Sequence, residues 1–415
     1  MKVGKKNMRK KVVKILIIWL VFNFQFVYAE EFNITSKNVI LYNMNDQNIL
    51  YELNSNEQVQ IASLTKIMTT ITAIEQVDNL EQTVPITKEA LKGIEEYTQV
   101  GFQIGDAPTV LDLLYGVMLP SGADAANALA IHVSGSISKY VELMNGKAQE
   151  LGLKNTHFDN PIGMDSEENY STASDLAKLL IYSLKNETFK EIFEAREYTI
   201  SCLNKTVKST LISYSRSYGL DTTDITGAKS GFTDRAGLCL ASTATIDDVS
   251  YLLVTLGADT TSRSNAVRDT LEIYNYYSST YSYQQVMKKD TVLATIPIKW
   301  GKVKNYEIKA TEDKYLYLEN DIRKNKIKYE YNGIEELKYG MKQGDQLGTI
   351  TVTYRNEELA TYDVYLDSKI EYYHPILYAL IIIALLLMFY SFKLMRRRKK
   401  KVKKVQSKKK NKKNT

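Results

Sequence analysis

Residues 375–392 are eighteen consecutive positions without a charge, and their side-chain polar atoms come only from tyrosines and Ser391. A run of this length crosses the hydrocarbon layer of a membrane as a helix, because only a helix satisfies its own backbone groups there. Lys393, Arg396, Arg397 and Arg398 begin a basic tail directly behind it. Lys/Arg excess marks the cytoplasmic side. The expectation is a single-pass cell-membrane protein with residues 375–395 spanning, 396–415 inside, and the body from residue 30 to about 370 extracytoplasmic. The other end carries Lys5, Lys6, Arg9, Lys10, Lys11 and Lys14, then an apolar stretch 15–27 broken only by Asn23 and Gln25. That core is short for a span and suits a signal peptide, with Val27-Tyr28-Ala29 at the cleavage position. Residues 1–29 are therefore read as a signal peptide, an uncleaved anchor being the alternative.

The 415 residues carry a formal charge of +6, but seven of the basic residues precede Ile15 and fourteen follow Phe392, with no acid in either stretch. The remainder has 33 basic residues against 48 acidic ones, so the body is acidic and nucleic acid is excluded as a partner. Two cysteines cannot build a disulfide framework, and three histidines (His132, His157, His374) make a histidine-built metal site a poor reading. Cys202 and Cys239 read as buried small hydrophobes.

Between the two ends the texture changes once. Up to about residue 280, extended runs alternate with helical patterns: a hairpin over 38–42 and 48–53, helices over 64–77, 110–119, 123–133, 137–151 and 172–184, and consecutive strands over 238–245 and 249–256. Strands adjacent in sequence at both ends of a mixed region imply an antiparallel sheet with a helical region, an α+β fold. From about residue 283 the chain reads as strands (291–300, 306–310, 315–319, 326–331, 347–354, 358–366), with period-two alternation plainest in 326–331 and 349–354. The organisation expected is 30–281, 282–370 as a small β-sandwich stalk, then the membrane helix.

Ser63-Leu64-Thr65-Lys66 opens the 64–77 helix. Serine in the first turn with lysine three residues on places both side chains on one face, where an amine can take the hydroxyl proton without a histidine. Unpaired N–H groups at a helix start suit a developing oxyanion. Alone the spacing is common, and Ser63 as a simple cap is the plain alternative. Ser121-Gly122-Ala123-Asp124 sits in a break between two helices, and Lys229-Ser230-Gly231 lies just before the 238–245 strand. Glycine after a hydroxyl residue at a strand edge admits another chain against the backbone. The order Ser-x-x-Lys, Ser-x-x, Lys-Ser-Gly matches the three-part signature of penicillin-binding proteins and serine β-lactamases.

With Ala62-Ser63-Leu64-Thr65-Lys66-Ile67-Met68-Thr69, Leu119-Pro120-Ser121-Gly122-Ala123-Asp124, Asn160-Pro161-Ile162-Gly163-Met164-Asp165, Tyr170-Ser171-Thr172-Ala173 and Gly227-Ala228-Lys229-Ser230-Gly231-Phe232-Thr233, residues 38–277 resemble a low-molecular-weight penicillin-binding protein, a serine-type D-alanyl-D-alanine carboxypeptidase. The resemblance implies that family's transpeptidase fold, followed by its usual β-sandwich and anchor. It implies catalytic Ser63, Lys66 and Ser121: Ser63 attacking the carbonyl between two terminal D-alanines, Lys66 as general base, and Ser121 relaying the proton to the departing amine. Substrate is bound by Lys229, Ser230, Gly231 and Phe232, with the N–H groups of Ser63 and Phe232 as the oxyanion hole and Lys229 with Ser230 on the terminal carboxylate. No metal or organic cofactor is implied; the partners implied are peptidoglycan stem peptides ending in D-Ala-D-Ala and, as covalent inhibitors, β-lactams.

Three positions depart from the family pattern. Ala123 stands where asparagine is usual, and Asn127 one turn on is the candidate to supply an amide instead. Ser230 stands for threonine, and Ile162 for a common histidine. Arg263 reads as a surface ion-pair residue, with assistance to the carboxylate as the alternative. A class A-like β-lactamase shares the three motifs and needs a glutamate to activate water, for which Glu167-Glu168-Asn169 is the candidate segment. A catalytically impaired wall-binding protein is the third reading.

Overall fold

The computed structural model describes residues 32–411. The expected signal peptide 1–29 and the last four residues of the basic tail lie outside the described residues. The chain divides into two compact units after Ser279.

The first unit is an antiparallel sheet of five strands in the order β2-β1-β7-β6-β5: β1 Asn38–Asn43, β2 Asn48–Leu53, β5 Ile225–Thr233, β6 Gly237–Ile246 and β7 Val249–Ala258. The first and last strands of the unit meet at the centre, β1 pairing with β7 from Asn38 opposite Leu256 to Asn43 opposite Tyr251. β5 is left at an edge, where its free side meets the helical region. That region comprises α1 Thr65–Gln76, α2 Val110–Met118, α3 Ala123–Ser134, α4 Ile137–Glu150, α5 Ala173–Ser183 and α6 Glu187–Glu194. A hairpin of β3 Glu197–Ile200 and β4 Lys205–Lys208 and a short helix, α7 Thr210–Tyr218, lead into β5. α8, Asn265–Thr280, follows β7.

α1 organises the unit. Residues 65–73 are buried all round, including four threonines and Lys66, the condition of a helix at the centre of a domain rather than on its surface. Ile67, Met68 and Ile71 join Ile40, Leu252 and Val254 of the sheet and Leu113, Leu129 and Leu180 of the surrounding helices in one apolar core. Tyr140, fully buried on α4, donates to the Thr69 carbonyl at 2.5 Å and fixes the two helices together. Two of the surrounding helices start on side-chain caps: Thr109 and Asp112 form a reciprocal capping box at α2, and Thr172 caps α5.

The second unit contains β8 Tyr281–Met287, β9 Val292–Pro297, β10 Asn305–Lys309, β11 Lys314–Glu319, β12 Ile327–Gly333, β13 Gln346–Tyr354 and β14 Glu357–Tyr365. They pair as β10-β9, β11-β8 and β12-β13-β14, closing over apolar clusters centred on Ile308, Leu337 and Leu347 and on Ile350 and Val352. This is the β-sandwich expected from the alternation. α9, Pro375–Asn411, ends the described chain; it is long and apolar enough to cross a membrane, and the helix runs on into the basic residues.

Two expectations are corrected. Cys202 is exposed, because it falls in the turn between β3 and β4; Cys239 alone is buried. Lys229-Ser230-Gly231 precedes the 238–245 strand, which is β6, but is not a connecting segment: it lies inside a strand of its own, β5, nine residues long.

Candidate active site

The cleft forms where α1 begins. A 3-10 turn, Ala62–Leu64, delivers the chain into α1 with Ala62 in the left-handed region (φ 46°). Ser63 sits in this turn, and Lys66 one turn later is 2 % exposed. The Lys66 Nζ donates to Ser63 Oγ at 3.1 Å and to the Ile162 carbonyl at 2.5 Å. Burial in apolar surroundings pulls the Lys66 amine down to about 7, with the buried Asp124 carboxylate opposing.

The Ile162 carbonyl is aimed by the 160–164 turn. Asn160 Oδ1 accepts from the N–H groups of Ile162, Gly163 and Met164, and Thr69 Oγ1 donates to the Pro161 carbonyl at 2.7 Å. Only the backbone of residue 162 touches Lys66 by hydrogen bond, so isoleucine in place of histidine leaves that contact intact. Gly163 has φ +80°, and a Cβ there would stand 2.1 Å from the Ala62 carbonyl oxygen. Gly163→Ala should therefore displace the Ser63 turn, costing about 2–5 kcal/mol through overpacking and left-handed strain. Thermal unfolding together with penicillin labelling checks this; an unchanged melting temperature with full labelling would contradict it.

Ser121 precedes α3 with φ +68°, a strained setting for a serine, and its buried Oγ has no hydrogen-bond partner. A hydroxyl held in strain and left unsatisfied is characteristic of a reactive site. Asp124 holds this segment: its carboxylate accepts from the N–H groups of Val100, Gly101, Phe102 and Ala125. Ala123 is fully buried, and Asn127 is not the expected replacement amide, because its Nδ2 donates to the Ala90 carbonyl at 3.2 Å.

β5 supplies the opposite wall. A Cβ on Gly231 would come within 2.9 Å of the Ser63 backbone nitrogen, so glycine is what lets the strand edge approach the serine. Ser230 Oγ shares a hydrogen bond with Thr210 Oγ1 at 2.7 Å. Lys229 is fully buried and donates to the Ser230 carbonyl at 3.1 Å; burial, reinforced by the Lys66 charge, holds its amine well below the usual lysine value. Arg263 is a correction: it lines the cleft, with its guanidinium 3.6 Å over the Phe232 ring, and forms no ion pair among the described residues.

Ser63, Lys66, Ser121, Ser230, Gly231, Phe232 and Arg263 thus share one cleft of about 560 Å³. Asp165, the last residue of the 160–165 motif, also lines it, as do Thr210 and Tyr214 from α7, which no motif marks. The i,i+4 spacing of Thr210 and Tyr214 is the signal that would have placed both on one helical face. Glu167 and Glu168 are exposed and lie outside the cleft lining, so this segment does not provide the water-activating glutamate that the β-lactamase reading needs.

A serine, a buried amine and an unpaired hydroxyl around a polar cleft, with the fully buried Lys229 outside its lining, are equipped for acyl transfer. Comparison with known proteins decides the family: residues 25–260 match the family described as D-alanyl-D-alanine carboxypeptidase. The chain belongs to this family. Residues 281–372 match the C-terminal domain of penicillin-binding protein 5. The D-alanyl-D-alanine carboxypeptidase DacF of Bacillus subtilis is 30 % identical over 331 residues, covering 78 % of this chain and 83 % of that one. DacC of Escherichia coli is 31 % identical, covering 73 % and 76 %. Penicillin-binding protein 5 of Haemophilus influenzae superposes with a TM-score of 0.62 at 22 % identity over 82 % of this chain and 99 % of that one. The Streptomyces K15 DD-transpeptidase gives a TM-score of 0.54 at 30 % identity over 60 % and 98 %. Like the other D-alanyl-D-alanine carboxypeptidases, this chain is a serine-type peptidase of the penicillin-binding class.

Proposed function

We propose that the chain removes the terminal D-alanine from peptidoglycan stem peptides ending in D-Ala-D-Ala, through an ester on Ser63, and that β-lactams acylate the same oxygen. The observation that carries this reading is the 3.1 Å contact between Ser63 Oγ and a buried Lys66 amine whose basicity is lowered to about 7.

Lys66 Nζ takes the Ser63 hydroxyl proton as Oγ bonds to the carbonyl carbon between the two D-alanines. The oxyanion is held by the N–H groups of Ser63 and Phe232. The C–N bond then breaks, and Ser121 relays the proton that Lys66 took to the departing amine, so that D-alanine leaves neutralised and Lys66 is again free of its proton. Water gives a proton to the Lys66 amine as it adds to the ester; the bond to Ser63 Oγ then breaks, Oγ takes that proton back, and the shortened peptide leaves as its carboxylic acid, which ionises. The terminal carboxylate is held against Ser230 by the charge of Arg263, backed by Lys229. Residues 30–281 form the peptidase, 282–370 the stalk and 375–395 the membrane helix, with 396–415 in the cytoplasm and the cleft outside.

The test is release of D-alanine by the purified chain from a pentapeptide ending in D-Ala-D-Ala, followed against pH. The general base must be neutral, so kcat/KM should climb about tenfold per pH unit towards 7 and level off above it. Absence of release, or a rate indifferent to pH below 7, would contradict the proposal.

A further inference from the structure

The second unit exposes single large apolar side chains on several strands, Val292, Tyr315 and Tyr365 among them, and a group of four where the chain approaches α9. The turn from β9 to β10 presents Trp300, 54 % exposed, and Val303, 60 % exposed. Tyr339 and Tyr373 are also about half exposed. Backbone hydrogen bonds bring these residues together. Tyr373 N donates to the Trp300 carbonyl at 2.7 Å, Lys302 N to the Glu371 carbonyl at 2.8 Å, and Lys299 N to the Leu337 carbonyl at 2.9 Å. Tyr339 packs edge-on against Tyr372 and its hydroxyl contacts His374 Nδ1 at 3.0 Å. The segment that pins Trp300, residues 371–374, ends at Pro375, the first residue of α9.

We infer that this patch is a membrane-docking surface: Trp300, Val303, Tyr339 and Tyr373 sit in the headgroup layer of the bilayer that α9 enters. The inference rests on the reading of α9 as a membrane span. Trp300 is tied to a residue three positions before Ile376, the start of the apolar stretch, so it lies within a helical turn of the level at which the chain meets hydrocarbon. Tryptophan and tyrosine favour this layer because the ring is apolar and the N–H or O–H still reaches water. Lys299, Lys302 and Lys304 flank the tryptophan in the chain; two of them are paired at the surface, Lys302 with Glu371 and Lys299 with Glu336. Their long stems can lie along the patch while the ammonium groups stay at the phosphates. A soluble face of this kind gains nothing from exposing a tryptophan and a valine in one short turn.

The chain has two tryptophans, Trp19 and Trp300, so the difference in emission between the full chain and its Trp300→Phe variant reports residue 300. Both are reconstituted into phosphatidylglycerol–phosphatidylcholine vesicles and floated on a density gradient. The difference signal should be blue-shifted, shielded from iodide, and quenched by lipids brominated near the glycerol more than by lipids brominated at the chain ends. A floating chain whose Trp300 signal is quenched by iodide as in detergent-free unfolded protein would overturn the docking while leaving the span intact. Failure to float would overturn both.

Discussion

Replacing Ser63 with alanine is expected to abolish D-alanine release and to remove covalent labelling by fluorescent penicillin. Both reactions need one nucleophilic oxygen, and Ser63 Oγ is the hydroxyl bonded to the Lys66 amine. Ser121, the other serine hydroxyl with an open partner position in the cleft, has no amine hydrogen-bonded to it. Loss of a nucleophile removes the covalent pathway, so the remaining rate should fall to the background given by binding and the oxyanion site alone, a drop on the order of 10⁴–10⁶. The fold should survive, because Ser63 is only half-buried and its side chain fills no part of the apolar core. Retained labelling would remove Ser63 from the nucleophile role.

Lys66→Met should reduce acylation by about 10²–10⁴, the usual worth of a positioned general base, yet stabilise the protein. The sign follows from the depressed amine. In the unfolded chain Lys66 titrates at the ordinary value of 10.5 and in the folded protein at about 7. Between those values the unfolded state holds the extra proton, so stability rises with pH across that window and the full penalty is present below 7. Methionine keeps the length of the stem and removes the charge, which should add about 1–4 kcal/mol near neutral pH, the scale found when buried ion pairs give way to apolar side chains. Lys229 is depressed in the same direction by burial and by Lys66, so its own penalty should also ease in the variant. Urea unfolding and penicillin acylation measured on the same sample separate the two effects. A variant less stable than the parent would make Lys66 a structural residue first, and one that acylates normally would not be missing its base.

The parts of this arrangement that were legible in the sequence are those written in side-chain type and short spacing. Serine and lysine three apart face the same way on any helix, and the alternation of 349–354 can only bury one face of a strand. What could not be read is carried by backbone and by tertiary approach. Ile162 holds Lys66 with its carbonyl oxygen, a contact that leaves no trace in residue type. β5 escaped notice because Gly227, Lys229, Ser230 and Gly231 are poor strand formers, and burial against the Ser63 turn overrides that preference. α7, rich in serine and tyrosine, carries no strong apolar period, yet it delivers Thr210 and Tyr214 to the cleft. Arg263 owes its place to the ring of Phe232, thirty-one positions earlier in the chain, and spacing cannot predict that. The Asn127 expectation failed because an i,i+4 step from Ala123 shares its helical face only approximately, and Ala90 offers the amide a buried carbonyl.

The central claim is that a single oxygen, that of Ser63, becomes acylated. The most direct test is to treat the full chain with benzylpenicillin, digest it, and locate the added mass by fragmentation spectrometry. One penicilloyl group per chain on the peptide containing Ser63 is the expected result. An intact protein that takes up no adduct, or carries it on Ser121, Ser230 or a lysine instead, would contradict the account.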